Sequence, residues 1–322
     1  MTANRAGRPG TALLGLAFLA LLWPETASAQ VKLEYKYPEG KKFSYKGVTK
    51  TKQVLTLMGM EIETESTENV SSSLVIGKKR SDGGLPVEER IDSLRAELSL
   101  PGGVSITYDT KEPDAKIETP GLAFLGEIFK MAGDMTYTIV LDDKSNVKAV
   151  EGTEKLLEKA DKLSEAARDS IRSRLEADKL KLKFEQDHKN VPDILARPGE
   201  SWQRTEVMDI GGGQVLTVEK KYTYVGVDKK DGKSYDKISA QAIKVDFKQD
   251  PQTKSPLKVV KSELKVETST GTILFDREVG QVFDAKGKTH YKGTMTFEAA
   301  GMEIPGQIDL IFDTNTQLQP TK

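Results

Sequence analysis

Most of the chain after residue 29 alternates with a period of two. Phe43, Tyr45, Gly47, Thr49 and Thr51 fall on one parity, against Ser44, Lys46, Lys50 and Lys52 on the other. Further on, Val260, Leu264 and Val266 oppose Lys261, Glu263, Lys265 and Glu267. Near the end, Met302, Ile304, Ile308, Leu310 and Phe312 oppose Glu303, Gln307 and Asp309. This is the pattern of antiparallel strands with one buried and one wet face. Turn residues punctuate it at Ser81–Gly84, Pro101–Gly103, Gly211–Gly213, Lys230–Lys233 and Ala285–Gly287, which predicts meanders of long strands. One strand changes phase: Ile238, Ala240 and Ala242 share a parity, whereas Ile243, Val245 and Phe247 take the other. A one-residue shift predicts a β-bulge, and a bulge bends its strand.

Two stretches switch to helical spacing. Leu122, Leu125, Ile128, Phe129 and Ala132 form the first, between Pro120 and Gly133. The second starts near Thr153 and repeats Leu156, Ala160, Leu163, Ala167, Ile171 and Leu175. This pattern predicts one rod to about Leu180, with a further piece carrying Leu180 and Phe184 that stops before Pro192. Between the helices, Met135–Leu141 and Val147–Val150 flank a turn at Asp142–Asn146. The expected fold is mainly β (α+β): a curved antiparallel sheet or open half-barrel, with helices packed over one face. Residues 30–322 are expected to form a single β-rich domain with a helical insertion at about 120–190. Tyr45–Gly47 recurs as Tyr291–Gly293 and Gly59–Ile62 as Gly301–Ile304; recurring hairpin chemistry and an internal duplication both account for this.

The first 29 residues have a different character. Arg5 and Arg8 precede an apolar run from Thr11 to Trp23, and Ala27-Ser28-Ala29 follows as a small-x-small site. Residues 1–29 therefore read as a secretory signal peptide, and no later segment is apolar enough to span a bilayer. The chain of 322 residues has no cysteine, which excludes disulfides, thiolate metal sites and a cysteine nucleophile. Export without cysteine points to a periplasmic or secreted bacterial protein. Its 48 basic and 49 acidic residues nearly cancel, so no charge excess favours nucleic acid as a partner.

A search for chemistry finds little. There is no G-x-S-x-G elbow, no phosphate-binding loop and no H-E-x-x-H. His188 follows Glu185-Gln186-Asp187 on a charged helix, and His290 shares the wet parity of Lys292. Both read as surface residues, and neither has a second histidine at metal spacing. The lysines at 41, 42, 46, 50 and 52 form a stripe that suits either an anionic partner or a solvated strand face. No catalytic residue, metal site or cofactor is assigned.

Several local passages carry a resemblance. They are Tyr35–Tyr45 around Gly40, the hairpin ending Val150-Glu151-Gly152, Val191–Asp193 leading to Pro198–Trp202, and Gly271–Asp276 followed by Val279–Val282. Together they resemble a family of uncharacterised secreted bacterial proteins. More remotely, the layout is similar to the half-barrel of periplasmic lipoprotein carriers and related lipid-binding lipoproteins, whose concave sheet accepts acyl chains under a helical lid. The resemblance implies a non-catalytic envelope protein that binds a hydrophobic ligand or lipid. Phe43, Tyr45, Leu55, Phe297, Met302 and Ile304 would line the concave face. Phe124, Leu125 and Phe129 would belong to the lid. Two other readings stand beside this one. The first is a structural or protein-interaction component of the envelope, in which the same residues pack as ordinary core. The second is a hydrolase working through paired carboxylates.

Overall fold

The computed structural model describes residues 30–112, 117, 119, 121–189, 191, 194–211, 213–249, 258–299 and 301–320. The proposed signal segment, Pro120 and Pro192-Asp193 lie outside them. Long strands dominate: β2 (Lys42–Leu57), β3 (Met60–Ile76), β4 (Leu85–Leu100), β9 (Ser201–Gly211), β10 (Gln214–Lys230), β11 (Lys233–Gln249), β12 (Lys258–Asp276), β13 (Gln281–Ala299) and β14 (Met302–Leu318). Shorter ones are β1 (Val31–Leu33), β5 (Val104–Asp109), β6 (Thr136–Leu141), β7 (Val147–Glu151) and β8 (Ile194–Ala196). The helices are α1 (Ala123–Gly133), α2 (Thr153–Ala160), α3 (Glu165–Arg172) and α4 (Ala177–Lys189).

All strands but two join one 12-stranded antiparallel sheet in the order β7-β6-β4-β3-β2-β14-β13-β12-β11-β10-β9, with β5 added beside β4. It is curved and does not close, giving the mainly β open half-barrel that the alternation predicts. The two meanders fuse because the last long strand, β14, pairs with β2 from Gly306↔Leu57 to Leu318↔Tyr45. β1 and β8 form a separate two-stranded sheet.

Curvature has local causes. Glu219 pairs with Lys244 but Lys220 with Ala242, so Ile243 is the extra residue of a bulge at the phase change, and it stands exposed. A similar shift between Val259 and Lys261 turns Val260 outward and leaves Val259 packed inside, correcting the parity expected for Val260. Small residues let neighbouring backbones approach closely. At Gly293 of β13 an added Cβ would lie 2.0 Å from the Glu263 carbonyl oxygen of β12, so only glycine fits.

The inner face carries three apolar clusters. Phe43, Leu74, Val87, Tyr137 and Ile139 pack against Met131, Leu156, Ile171, Leu180 and Phe184 of the helical layer. Tyr222, Tyr224, Ile238, Ile273 and Phe275 pack against Leu33, Ala196 and Val191. The third cluster contains Leu216, Val218, Phe247, Tyr291, Phe297 and Leu310, where the inner surface of β9–β14 is filled by its own side chains.

The expected rod from Thr153 to about Leu180 breaks into α2 and α3 and ends before Ala177, and the further piece carrying Leu180 and Phe184 is α4. Ser164 donates from both its backbone N–H and its Oγ to Glu127 Oε2 of α1, at 2.8 and 2.7 Å. The start of α3 is thus satisfied by a carboxylate from another helix. Glu176 then adopts an extended conformation (ψ 137°) before α4 begins. The breaks allow Leu156, Ile171, Leu180 and Phe184 to reach one curved surface.

Candidate functional site

Helix α4 lies across the open side of the curl. On one side, Leu180 and Phe184 are buried with the β2–β6 face. On the other, it meets the free edge of β9. The Gln186 amide donates to the Val207 carbonyl at 3.1 Å and accepts from the Val207 N–H at 2.6 Å. It satisfies backbone groups that an edge strand otherwise leaves open. Arg174, in the turn before α4, adds a two-pronged pair to Asp209, both contacts at 2.9 Å. The half-barrel is bridged by a helix where a closed barrel would continue its strand pairing.

Under this bridge lies a recess of about 270 Å³, lined among others by Tyr35, Tyr45, Ser72, Lys183, His188 and Thr316. Tyr45, Ser72 and Thr316 come from adjacent strands with the same inward parity. Tyr45 donates to Gln281 Oε1 at 2.8 Å, and Gln281 donates in turn to the Lys36 carbonyl at 2.7 Å. This chain ties the segment after β1 to the sheet. At the polar end, Lys183 sits between Glu89 Oε1 (3.2 Å) and Asp187 Oδ2 (2.7 Å), and Tyr137 donates to the other oxygen of Glu89. Burial works against the charge of Lys183, but Asp187 and Glu89 outweigh it and hold its pKa well above the ordinary lysine value. Its side chain nevertheless keeps 47% of its surface open, because the recess itself admits solvent.

His188 is not the surface residue that its charged neighbours suggest. Its ring stacks on Phe184 at 4.2 Å and lies near Tyr35 and Tyr37, at 5.4 and 6.0 Å. Its Nδ1 is buried without a hydrogen-bond partner. Burial pushes its pKa down, and nearby Lys183 pushes the same way, against Asp187 and Glu89. The neutral ring is therefore favoured in the fold, while the unfolded chain takes up a proton near pH ~6.5. The unfolded state then binds more protons below that pH, so stability contributed here is present above ~6.5 and is lost as pH falls through the folded-state pKa. A His188→Phe variant removes both the titration and the orphan nitrogen. It is expected to be more stable than the parent by about 1 kcal/mol at neutral pH, with a larger gap at mildly acidic pH. Urea unfolding across that range measures the gap; a constant or shrinking difference would rule out the neutral buried ring.

His290 stays on the outer face, 2.8 Å from Asp309. Lys52 of the basic stripe is paired with Glu63 and Glu65 on the neighbouring strand. Among the described residues, no group of acidic or histidine side chains is arranged to hold a metal ion, and no helix is long and apolar enough to cross a membrane.

The residues expected at a ligand surface and its lid separate into five places. Tyr45 is on the wall of the recess. Phe43 is buried behind it in the helical core. Phe297 belongs to the filled cluster of β9–β14, the half-buried Leu55 of β2 and Ile304 of β14 pack against it, and Met302 is 64% exposed beside the β13–β14 hairpin tip. In α1, Phe124, Leu125 and Phe129 are half-buried, and Phe129 stacks on Tyr108 of β5 at 5.7 Å. The sequence reading missed Tyr35, Glu89, Lys183, Asp187 and His188. One signal was available: Leu180, Phe184 and His188 recur every four residues and share one helix face.

A family model described as "Family of unknown function (DUF6263)" matches residues 83–282. The chain belongs to this family. The matched region contains the polar end of the recess, while Tyr35, Tyr45, Ser72 and Thr316 lie outside it. No curated protein matches the chain. Among solved structures, a lipovitellin described in terms of lipid–protein interactions is similar over 88% of this chain, at 9% identity and a TM-score of 0.40. The chain spans only 26% of the length of that protein. An exported Bacteroides fragilis protein with a YMCC-like fold is similar over 90% of this chain and 100% of its own, at 6% identity and a TM-score of 0.21. An outer-membrane lipoprotein-sorting domain from Vibrio parahaemolyticus is similar over 86% of each chain, at 9% identity and a TM-score of 0.12.

Proposed function

We propose that this is a non-catalytic protein of the bacterial envelope, periplasmic or secreted, that holds a hydrophobic or amphiphilic small molecule between α4 and the concave sheet. The observation that carries this reading is the recess: an aromatic wall, a polar end and a helix bridging the gap above it. Its size sets a limit. About 270 Å³ is the volume of roughly nine waters in the liquid. It lies just below the ~300–1,000 Å³ of drug-sized sites. It suits a head group and the first carbons of one chain, with each buried CH₂ contributing about 0.8 kcal/mol. Tyr45 then contacts ligand, Phe43 supports the wall, and Leu55, Phe297 and Ile304 act as scaffold. Both carboxylates at the polar end are engaged by Lys183, an arrangement that supports binding over carboxylate hydrolysis.

Native mass spectrometry of the protein purified from its host envelope, with lipid analysis of an organic extract, tests this. A stoichiometric adduct is expected, matching a species in the extract. Ser72→Phe, which places a ring in the recess, is expected to weaken that adduct by about tenfold or more, a loss of ~1.4 kcal/mol, without lowering the melting temperature. A bare mass with no binding on adding lipids back overturns the proposal, as does an adduct that Ser72→Phe leaves unchanged.

A further inference from the structure

Resting on the reading above, we infer that the recess selects a head group bearing an ammonium and discriminates against anionic ones. Among the described residues, the charged side chains lining it are Glu89, Asp187 and Lys183. Lys183 is shared between the two carboxylates, so the lining carries one net negative charge. Its one cation is already committed, and a sulfate or phosphate head would have to compete with Glu89 and Asp187 for it. Both oxygens of Glu89 are occupied, by Lys183 and Tyr137. Asp187 accepts Lys183 through Oδ2 and keeps 53% of its side chain exposed, which leaves Oδ1 available to a donor.

The neutral part of the wall favours the same choice. Tyr35 and Tyr45 line the recess, and burial raises both phenols above their ordinary range, so they present uncharged rings. Aromatic faces attract ammonium groups and gain nothing from anions. His188 adds no positive charge while its ring is neutral, and its unpartnered Nδ1 is an acceptor when the proton sits on Nε2. Ser72 and Thr316 supply hydroxyls that accept as readily as they donate. An ammonium whose N–H groups meet Asp187, with its apolar chain along Leu74 and Val282, uses every part of this lining.

Isothermal titration with three probes of equal chain length, decylammonium, decyl glucoside and decyl sulfate, each below its micelle concentration at near-neutral pH, tests the inference. Decylammonium is expected to bind at least about tenfold more tightly than decyl sulfate, with a gap that narrows as salt screens the site. Asp187→Asn, which makes the lining neutral, should shrink the gap to within about threefold, and Lys183→Met, which leaves two negative charges, should widen it. Equal affinities, a preference for sulfate, or a gap that Asp187→Asn leaves intact overturn the head-group inference while leaving a binding recess in place. Failure of all three probes to bind overturns the reading beneath it.

Discussion

Replacing Arg277 with alanine is expected to cost the fold about 3–5 kcal/mol, the penalty of stranding a buried charge. The stranded group is Asp236 of β11, whose side chain is 1% exposed. Arg277 reaches it with two nitrogens, Nε at 2.8 Å and Nη2, and the Tyr224 hydroxyl donates to Oδ1 at 2.9 Å. Burial, followed by the bond to Asp236, pushes the Tyr224 pKa up to about 12, so the phenol stays a neutral donor and cannot balance the carboxylate. The partners are unequally placed, since the Arg277 side chain is 43% exposed. Loss of Arg277 leaves a carboxylate with no route to water, whereas loss of the Asp236 charge frees a guanidinium that turns outward. Asp236→Asn should therefore cost only about 1–2 kcal/mol, that of a weakened hydrogen-bond network. The double variant should recover most of the stability that Arg277→Ala loses. Urea unfolding of the four proteins measures the cycle; equal costs for the two single variants would show that Asp236 is not stranded.

What the sequence disclosed depended on how local the cause was. The β-bulge at Ile243 is written into a phase change between neighbours, and its position in β11 follows. The inward face of β2 is equally legible, because Tyr45, Gly47 and Thr49 alternate with lysines. The pairing of β14 with β2 is not: parity says which side of a strand is buried, not which strand lies beside it, and these two are far apart in the chain. The break before α3 is hidden for a related reason. Ser164 is satisfied by Glu127 from another helix, so the apolar repeat runs on through a point where the backbone does not.

The recess was misread through its charges. Glu185, Asp187 and Lys189 around His188 look like a solvated helix face, and for most helices dense charge means that. Here α4 has protein on both sides, and Lys183 and Asp187 border a recess that stays open to solvent. Asp187 and Lys183 satisfy each other one helical turn apart, a spacing equally common on free surfaces. Only the four-residue recurrence of Leu180, Phe184 and His188 separates the cases, and it becomes informative once Tyr35 and Tyr37 are known to face it.

Phe184→Ala is expected to have an effect of similar size with a different signature. Phe184 is 2% exposed in the helical core, stacked on His188 and 6.3 Å from the Tyr37 ring. Truncating a buried phenylalanine costs about 3–5 kcal/mol, depending on how far the site collapses. The ring is the support of His188, which lines the recess, so α4 should loosen before the sheet does. On its β9 side α4 itself is tied by the two Gln186–Val207 hydrogen bonds, with the Arg174–Asp209 pair just before it. These polar ties are partly open to solvent and too weak to hold the helix alone. Hydrogen exchange should then rise together in residues 177–189 and at the Val207 amide, with the amides of β12 and β13 unchanged. The ligand binding proposed for the recess should fall with them. Phe184→Leu, which keeps most of the volume, should show a cost below about 1.5 kcal/mol and retain the Val207 protection. If α4 exchanges in Phe184→Ala while Val207 stays protected, the helix does not close the seam, and the recess must be held by the sheet and the β1–β2 segment instead.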